Sequence, residues 1–132
     1  MSGVQCVVVT PERAVLDESV DFVALPMYDG ELGVLPGRSP LIGRLGYGEL
    51  RIRRGTETRR FFIDGGFAQV RTNVVTVLTP RALRAEEIDV NVAAKRLEEA
   101  RGLARTPEEQ ETHLKAQQRA RAQIAIAHHI KG

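Results

Sequence analysis

Cysteine, tryptophan and long apolar runs are scarce in this sequence, and each absence excludes a class of protein. Cys6 is the only cysteine, so no disulfide forms within the chain and a disulfide-stapled secreted domain is excluded. Its apolar neighbours in VQCVVV predict a small buried hydrophobe and not a reactive thiol. No segment approaches the roughly 20 apolar residues of a membrane-spanning helix, and the N-terminus lacks the regions of a signal peptide. We therefore expect a soluble, cytosolic protein, although this leaves docking on a membrane complex open.

Charge of one sign is also lacking overall, but its distribution is uneven. The 19 basic and 17 acidic residues give a formal net charge of +2, which argues little about nucleic acid. Residues 112–132, by contrast, contain three histidines and no acid, together with the cations Lys115, Arg119, Arg121 and Lys131. This segment favours an acidic partner.

Up to about Pro80 the sequence reads as short strands. Seven segments are rich in β-branched residues and are separated by Gly, Pro, Asn or Asp: VQCVVV, VDFVALP, PLIGRL, GELRIRR, RRFFIDG, GFAQVR and NVVTVLT. In GELRIRR, Leu50 and Ile52 alternate with charged residues, which indicates one buried and one wet face. The segments GTET and TN predict hairpin turns, and DGG at 64–66 predicts a bend or bulge.

After Pro80 the period becomes helical. Apolar residues recur at i, i+3, i+7, i+10 and i+14, at Val90, Ala93, Leu97, Ala100 and Ala104. Gly102 is a plausible stop, and Thr106 with Glu109 forms the capping-box pattern of a second helix that begins at Pro107. That helix is predicted to run almost to the end of the chain, with one side made by Leu114, Ala120, Ile124 and Ala127.

The predicted fold is therefore mixed, β then α. An N-terminal antiparallel β sandwich or barrel spans residues 1–84, and an antiparallel helical hairpin spans residues 85–132. Alanine dominates the helical stripe. Replacing Leu by Ala removes about three carbon groups of roughly 0.8 kcal/mol each, so this seam holds several kcal/mol less than a leucine seam. The small residues suit either a tight hairpin or one that parts at low cost.

No constellation for catalysis or metal binding is present in the sequence. The glycine-rich stretch GELGVLPGRSP, residues 30–40, lacks the spacing of a phosphate-binding loop. The three histidines all belong to the last helix, far from Cys6, so neither a zinc site nor a Ser-His-Asp triad is supported. The cluster RIRRGTETRR leaves open a nucleic-acid-binding β barrel with a helical tail, although only six aromatic residues exist and adjacent Phe61 and Phe62 give at most one outward ring.

The run DGELGVLPGRSPL, followed by GELRI, FIDGGFAQV, NVVTVL and AEEID, resembles the epsilon subunit family of the rotary proton-driven ATP synthase. The similarity covers nearly the whole chain in the same order, and the pattern GELGxxPGxxPL is highly specific. The family's fold, a sandwich of about ten strands with a C-terminal helical hairpin, agrees with the periodicity read above. The lack of a transit-like leader favours the bacterial type.

The resemblance implies a non-catalytic rotor subunit that joins the gamma subunit to the c-subunit ring and keeps proton flow coupled to ATP synthesis. It implies a peripheral position on the cytoplasmic face of the cell (inner) membrane. In relatives the glycine-rich loop meets the c ring or gamma, which places Gly30, Glu31, Leu32, Gly33 and Arg38 at that contact. Glu31 is the main candidate for a polar contact with basic groups on the ring.

The resemblance also implies regulation by the hairpin. In the family the helices either fold against the sandwich or open and reach the alpha/beta catalytic hexamer, where they block ATP hydrolysis. Lys115, Arg119 and Arg121 are the residues expected to meet acidic segments of the beta subunits. The sequence leaves the resting arrangement of the hairpin open.

Some relatives bind ATP through the motif I/L-D-x-x-R-A at the start of the first helix. In this chain Ile88, Asp89 and Ala93 match, whereas Val92 replaces the arginine and contributes no charge. Arg96, one turn later, is a candidate substitute, with Arg119 or Arg121 opposite. We expect weak or no ATP binding, no other cofactor and no metal.

Overall fold

The structure is a computed structural model that describes residues 3–129. Within these residues it contains eight strands, a 3₁₀ turn and two helices. In chain order they are β1 Val4–Val9, β2 Ala14–Val20, β3 Phe22–Met27, β4 Gly30–Val34, β5 Leu41–Arg54, β6 Glu57–Arg71, β7 Val74–Leu78, β8 Ala82–Arg84, the turn Ala85–Glu87, α1 Val90–Glu99 and α2 Pro107–His129. Lys131 of the basic segment lies outside the described residues.

The strands form one hydrogen-bonded sheet that folds over into an open sandwich. Its order is β2-β1-β7-β6-β5-β3-β4, and β8 pairs with the first half of β6. All neighbours are antiparallel except β1 and β7, which run parallel. One layer contains β2, β1, β7, the second half of β6 and the first part of β5 that pairs with it. The other layer contains β8, β3, β4, the first half of β6 and the rest of β5. The predicted sandwich with a helical hairpin is thus confirmed.

The structure has eight strands and not the roughly ten that the resemblance implies, because two of its strands are long. PLIGRL and GELRIRR are parts of one strand, β5, and RRFFIDG and GFAQVR are parts of β6. β6 bends at Gly65 and Gly66, whose φ angles are +74° and +104°. A Cβ at Gly66 would lie 2.0 Å from the carbonyl oxygen of Leu78, so only glycine fits at this bend. The predicted bend at 64–66 is therefore confirmed.

Alternation along the strands places the main core between the two layers. Cys6, Leu50 and Ile52 are fully or almost fully buried there, as the sequence predicts. Burial raises the pKa of the Cys6 thiol from its ordinary 9.0 to about 12, and the Glu18 carboxylate adds to the rise. The turn at 72–73 has positive φ at both Thr72 and Asn73, which is the conformation of a tight type I′ hairpin turn.

The two helices form the predicted hairpin. Asp89 caps α1 by accepting the N–H groups of Asn91 and Val92. The N–H of Glu109 donates to Thr106 Oγ1 at 3.1 Å, so the predicted cap of α2 is present. Ala93, Ala100, Ala120 and Ala127 are buried as expected, but Leu114 is exposed, which corrects its predicted place in the buried stripe. Leu114 lines an open groove between α2 and the sandwich instead.

Candidate functional site

The glycine-rich stretch is half strand and half loop. Residues 30–34 form β4, which pairs only with β3 at the edge of the sheet, so its reading as a loop throughout is wrong. The Glu31 side chain is 54% exposed and lies 3.2 Å from Arg51 Nη2, and Leu32 packs on the core. The alternation of β4 therefore presents Glu31 outward while its neighbour Leu32 anchors the edge.

Arg38 lies in the loop that follows β4, at 35–40, and is exposed. This loop is tied to the turn between β6 and β7: the N–H of Gly37 donates to Asn73 Oδ1 at 2.7 Å. Gly37 has φ +86°, a conformation that side chains rarely adopt. Arg38 and Glu31 therefore occupy different settings, one on a tied loop and one on an edge strand.

Helix α2 docks on the outer face of the layer that contains β4. A small second core joins Phe62 of β6, Ala85 of the 3₁₀ turn and Ile126 of α2, all buried. Tyr47, Leu83, Ile88 and Ala122 pack around it. The hairpin in this structure is thus folded against the sandwich, through a cluster much smaller than the main core.

Charged contacts flank that small cluster on both sides. The Nε–H of Arg119 donates to Asp64 Oδ1 at 2.6 Å, and the Arg119 guanidinium lies 4.9 Å from the centre of the Tyr47 ring. Further along α2, the Nδ1–H of His129 donates to Glu49 Oε2 at 2.5 Å. The sandwich-facing positions 119, 122, 126 and 129 follow helical spacing, but two of them are cationic or polar, so an apolar pattern misses this face.

The three predicted basic contacts differ in their surroundings. Arg119 faces the sandwich and is engaged with Asp64. Lys115 pairs with Glu111 at 3.1 Å on the same helix, and Arg121 is exposed. Lys115, Arg119 and Arg121 all line the groove of about 1100 Å³ between α2 and the sandwich.

The residues of the predicted nucleotide motif have structural partners. Ile88 packs on the small second core, Asp89 caps α1, and Ala93 is buried. Arg96 and Arg119 line one cavity of about 510 Å³ between the two helices and the sandwich, together with His113. Arg121 does not line that cavity, and Val92, which replaces the motif arginine, is exposed.

The basic cluster of the β5–β6 hairpin is largely paired with carboxylates. Arg51 contacts Glu31 and Glu49, Arg60 contacts Glu49, and Arg59 contacts Glu18 and Glu57. Phe61 lies in the main core, and the outward ring of Phe62 is covered by α2. This arrangement favours a self-paired hairpin over a stacking platform for nucleic acid.

The outer face of the other layer carries a patch of three exposed apolar side chains beside the exposed polar residues Arg44 and Gln69, and sequence analysis missed this patch. Ile42, Phe67 and Leu78 are 77%, 58% and 54% exposed. Phe67 lies directly opposite Leu78 on β7, and Ile42 is its diagonal neighbour on β5. Each of three adjoining strands, β5, β6 and β7, has an apolar residue at an outward position. The sequence does not show that these residues are neighbours, because that depends on how the strands pair.

Two classes of feature are missing from the part of the chain that the structure describes. No helix within residues 3–129 is long and apolar enough to cross a membrane. In the same range, no group of three or more His, Cys, Asp or Glu side chains is arranged to hold a metal ion.

Comparison with known proteins identifies relatives of both the sandwich and the whole chain. Residues 3–85 match the family model described as ATP synthase, Delta/Epsilon chain, beta-sandwich domain. The ATP synthase epsilon chain of Rhodopirellula baltica is 53% identical over 123 residues, which are 92% of this chain and 96% of that protein. The ATP synthase epsilon chain of Nitratidesulfovibrio vulgaris is 40% identical over 122 residues, 90% of this chain and 91% of that one.

Two solved structures resemble the fold. A chain of the Euglena gracilis mitochondrial ATP synthase, solved as OSCP/F1/c-ring, superposes with a TM-score of 0.87 at 28% identity, covering 95% of this chain and 81% of that one. A chain of the Tetrahymena thermophila mitochondrial ATP synthase central stalk and c ring superposes with a TM-score of 0.74 at 15% identity, covering 94% and 96%. The second likeness shows the fold alone.

Proposed function

Because this chain belongs to the ATP synthase delta/epsilon family, we propose that it is a non-catalytic central-stalk subunit that links gamma to the c-subunit ring. It couples proton flow to ATP synthesis and has no active site of its own. Its place is peripheral, on the cytoplasmic face of the cell (inner) membrane. The observation that carries this proposal is the division of the sandwich into one face covered by its own helix and one face on which an apolar patch is exposed.

The exposed apolar patch of Ile42, Phe67 and Leu78 is the proposed gamma contact. Soluble proteins rarely leave neighbouring large apolar side chains exposed on adjoining strands unless a partner covers them. Ile42, Phe67 and Leu78 supply such a patch on strands that are rigidly held by the core. A sheet face also lies flat, so it suits a second folded subunit better than a narrow peptide.

Co-purification with gamma tests this assignment. We expect Phe67→Glu to reduce recovery with tagged gamma at least tenfold, because a carboxylate would be desolvated at the centre of the contact. Leu103→Glu is the matched control, since Leu103 is 81% exposed in the loop between the helices. Equal recovery of both variants, with unchanged thermal unfolding, would refute the gamma face.

The edge strand and the loop after it are the proposed ring contact, through Gly30, Glu31, Leu32, Gly33 and Arg38. Support comes from the exposure of Glu31 and Arg38 and from the anchoring of the strand by Leu32. Glycine at 30, where no atom lies within 4 Å of the position a Cβ would take, leaves the backbone open to close approach with few side chains to order.

The basic residues of α2 are the proposed inhibitory contact with acidic segments of the beta subunits. In the docked hairpin Arg119 already has a carboxylate partner in Asp64. Moving to a beta-subunit carboxylate therefore exchanges one ion pair for another, so the change in free energy is small. The small core under α2 suits an element with two arrangements, because a partner with a few kcal/mol of differential affinity shifts such an equilibrium.

ATP binding is proposed to be weak or absent. Arg96 and Arg119 face one cavity, which favours some attraction for phosphate, but Asp64 and Glu99 also line it. Asp89 is occupied as the α1 cap, and Val92 supplies no charge. Calorimetric titration of the isolated chain with ATP is expected to give a dissociation constant above about 1 mM, and submillimolar binding would refute this assignment.

A further inference from the structure

Glu49 is the centre of a charge cluster that joins the sandwich to the last turn of α2. Its side chain is only 12% exposed, accepts hydrogen bonds from Arg60 and His129, and forms a longer ion pair with Arg51. Arg60 Nη1 lies 2.8 Å from Oε1, His129 Nδ1 lies 2.5 Å from Oε2, and Arg51 Nη1 lies 3.5 Å from Oε1. The carboxylate thus holds two strands and the end of the helix at one point.

Arg51 is shared between this cluster and the edge strand. Its Nη2 lies 3.2 Å from Glu31 Oε1 and its Nη1 lies 3.4 Å from Glu31 Oε2, so the guanidinium meets the Glu31 carboxylate with both ends. The same Nη1 is 3.5 Å from Glu49. These separations are loose for charged hydrogen bonds, so a small rotation of Arg51 moves it from one carboxylate toward the other.

We propose that Glu31, Arg51, Glu49 and His129 form a charge relay that couples occupation of Glu31 by a basic partner to release of α2. When a cation takes Glu31, Arg51 turns fully to Glu49 and competes with His129 for the same carboxylate. The end of α2 then loses its hydrogen bond to the sandwich. That the occupying cation belongs to the c ring rests on the function proposed above, whereas the coupling itself is a property of this chain alone.

Amide hydrogen exchange in the full, isolated chain tests the relay, because exchange of α2 amides reports the fraction of helix that is undocked and open. Glu31→Gln removes the charge and leaves the shape, as occupation by a cation would. An exposed ion pair is worth about 0.2–1 kcal/mol, so we expect exchange across α2 residues 119–129 to accelerate about two- to fivefold. Glu49→Gln should accelerate it at least as much, since it removes the negative charge that faces His129 and replaces one of the two acceptor oxygens by an NH₂ donor.

Glu57→Gln is the matched control. Glu57 is an exposed strand carboxylate that pairs with Arg59 and has no ion pair with α2 or Arg51 within the described residues. Its substitution changes net charge equally and should leave exchange in α2 unchanged. Equal acceleration by Glu31→Gln and Glu57→Gln, or none by Glu31→Gln, would overturn the relay.

A double-mutant cycle with Arg51 separates a relay from a general loosening. In an Arg51→Ala background, Glu31→Gln should no longer change exchange in α2, because the connection between the two carboxylates is gone. Arg51→Lys keeps the charge but cannot meet two carboxylates with a planar fork, so it should reduce the effect of Glu31→Gln and serves if Arg51→Ala unfolds. A full effect of Glu31→Gln in both backgrounds would overturn the proposal. If the natural chain failed to bind gamma or the c ring, the proposed function would be refuted. The exchange results would not be affected, because they are measured on the isolated chain.

Discussion

At the scale of single residues, Cys6 links the core to alkaline stability. Its thiol pKa is raised from 9.0 to about 12 because the side chain is buried among apolar neighbours. Below pH 9 the thiol is protonated in both the folded and the unfolded chain. Above pH 9 the unfolded chain loses the proton first, so stability is present at lower pH and is lost as pH rises toward 12.

The free energy of unfolding should therefore fall with pH more steeply in the natural chain than in Cys6→Ala. One such group contributes about 1.4 kcal/mol per pH unit, so we expect an excess loss of about 1.4 kcal/mol between pH 8 and pH 10. Urea unfolding of both proteins at the two pH values measures it, with lysine and tyrosine contributions common to both. Parallel pH dependences would contradict a protonated, buried thiol.

The sequence could identify residues whose role follows from local pattern, and Cys6, Leu50, Ile52 and Thr106 are of this kind. It could not identify Asp64 or Glu49 as docking carboxylates. Their partners on α2 lie 55 and 80 residues away, at Arg119 and His129, and such pairs depend on how the hairpin sits on the sheet. Leu114 was placed wrongly for a related reason, since apolar character alone does not tell which stretch of a helix has a surface beneath it.

At the scale of elements, α2 is held by a short contact whose main apolar anchor is Ile126. This side chain is 2% exposed and packs on Phe62 and Ala85. Truncating a buried isoleucine to alanine costs about 2–5 kcal/mol in a well-packed core, and the lower figure applies to so small a cluster.

We expect Ile126→Ala to release α2 while the sandwich stays folded. A loss of about 2 kcal/mol of docking energy corresponds to a roughly 30-fold rise in the undocked population, measured by hydrogen exchange in α2. Leu114→Ala is the control, because it makes the same kind of truncation on the same helix at an exposed position. Protection of α2 that is equal in both variants would show that Ile126 is not the anchor.

Elements with clean alternation and clear turn residues were predictable, and those without were not. The sequence missed β2, whose AVLDESV contains two acids, and β4, whose glycines indicated a loop. Both are edge strands, with one side free of the constraint that imposes a regular apolar pattern on central strands. The helices were found because caps and a 3.6-residue period act locally.

At the scale of the whole molecule, the sandwich presents three surfaces with different chemistry. One sheet face exposes an apolar patch, one edge carries Glu31, and the other sheet face is occupied by α2. The proposed rotor role requires a permanent interface with gamma and a reversible contact between α2 and the beta subunits. The apolar face suits the first, because obligate contacts are apolar, and the ion-paired helix suits the second.

The reversible contact leads to a prediction for the assembled enzyme. Deleting the residues after Arg105 should raise ATP hydrolysis of the reconstituted complex several-fold, since the helix proposed to inhibit it is gone. Lys115→Ala combined with Arg121→Ala should raise it at least about twofold and by no more than the deletion does. Two ion pairs with a partner, each of about 0.2–1 kcal/mol, are lost, while Arg119 keeps its bond to Asp64. Arg101→Ala, an exposed cation of the same hairpin that pairs with Glu98, is the control and should leave turnover unchanged. Unchanged turnover in the deletion would refute inhibition by the hairpin but not coupling through the sandwich, because the proposed gamma and ring contacts lie on surfaces that the deletion does not remove.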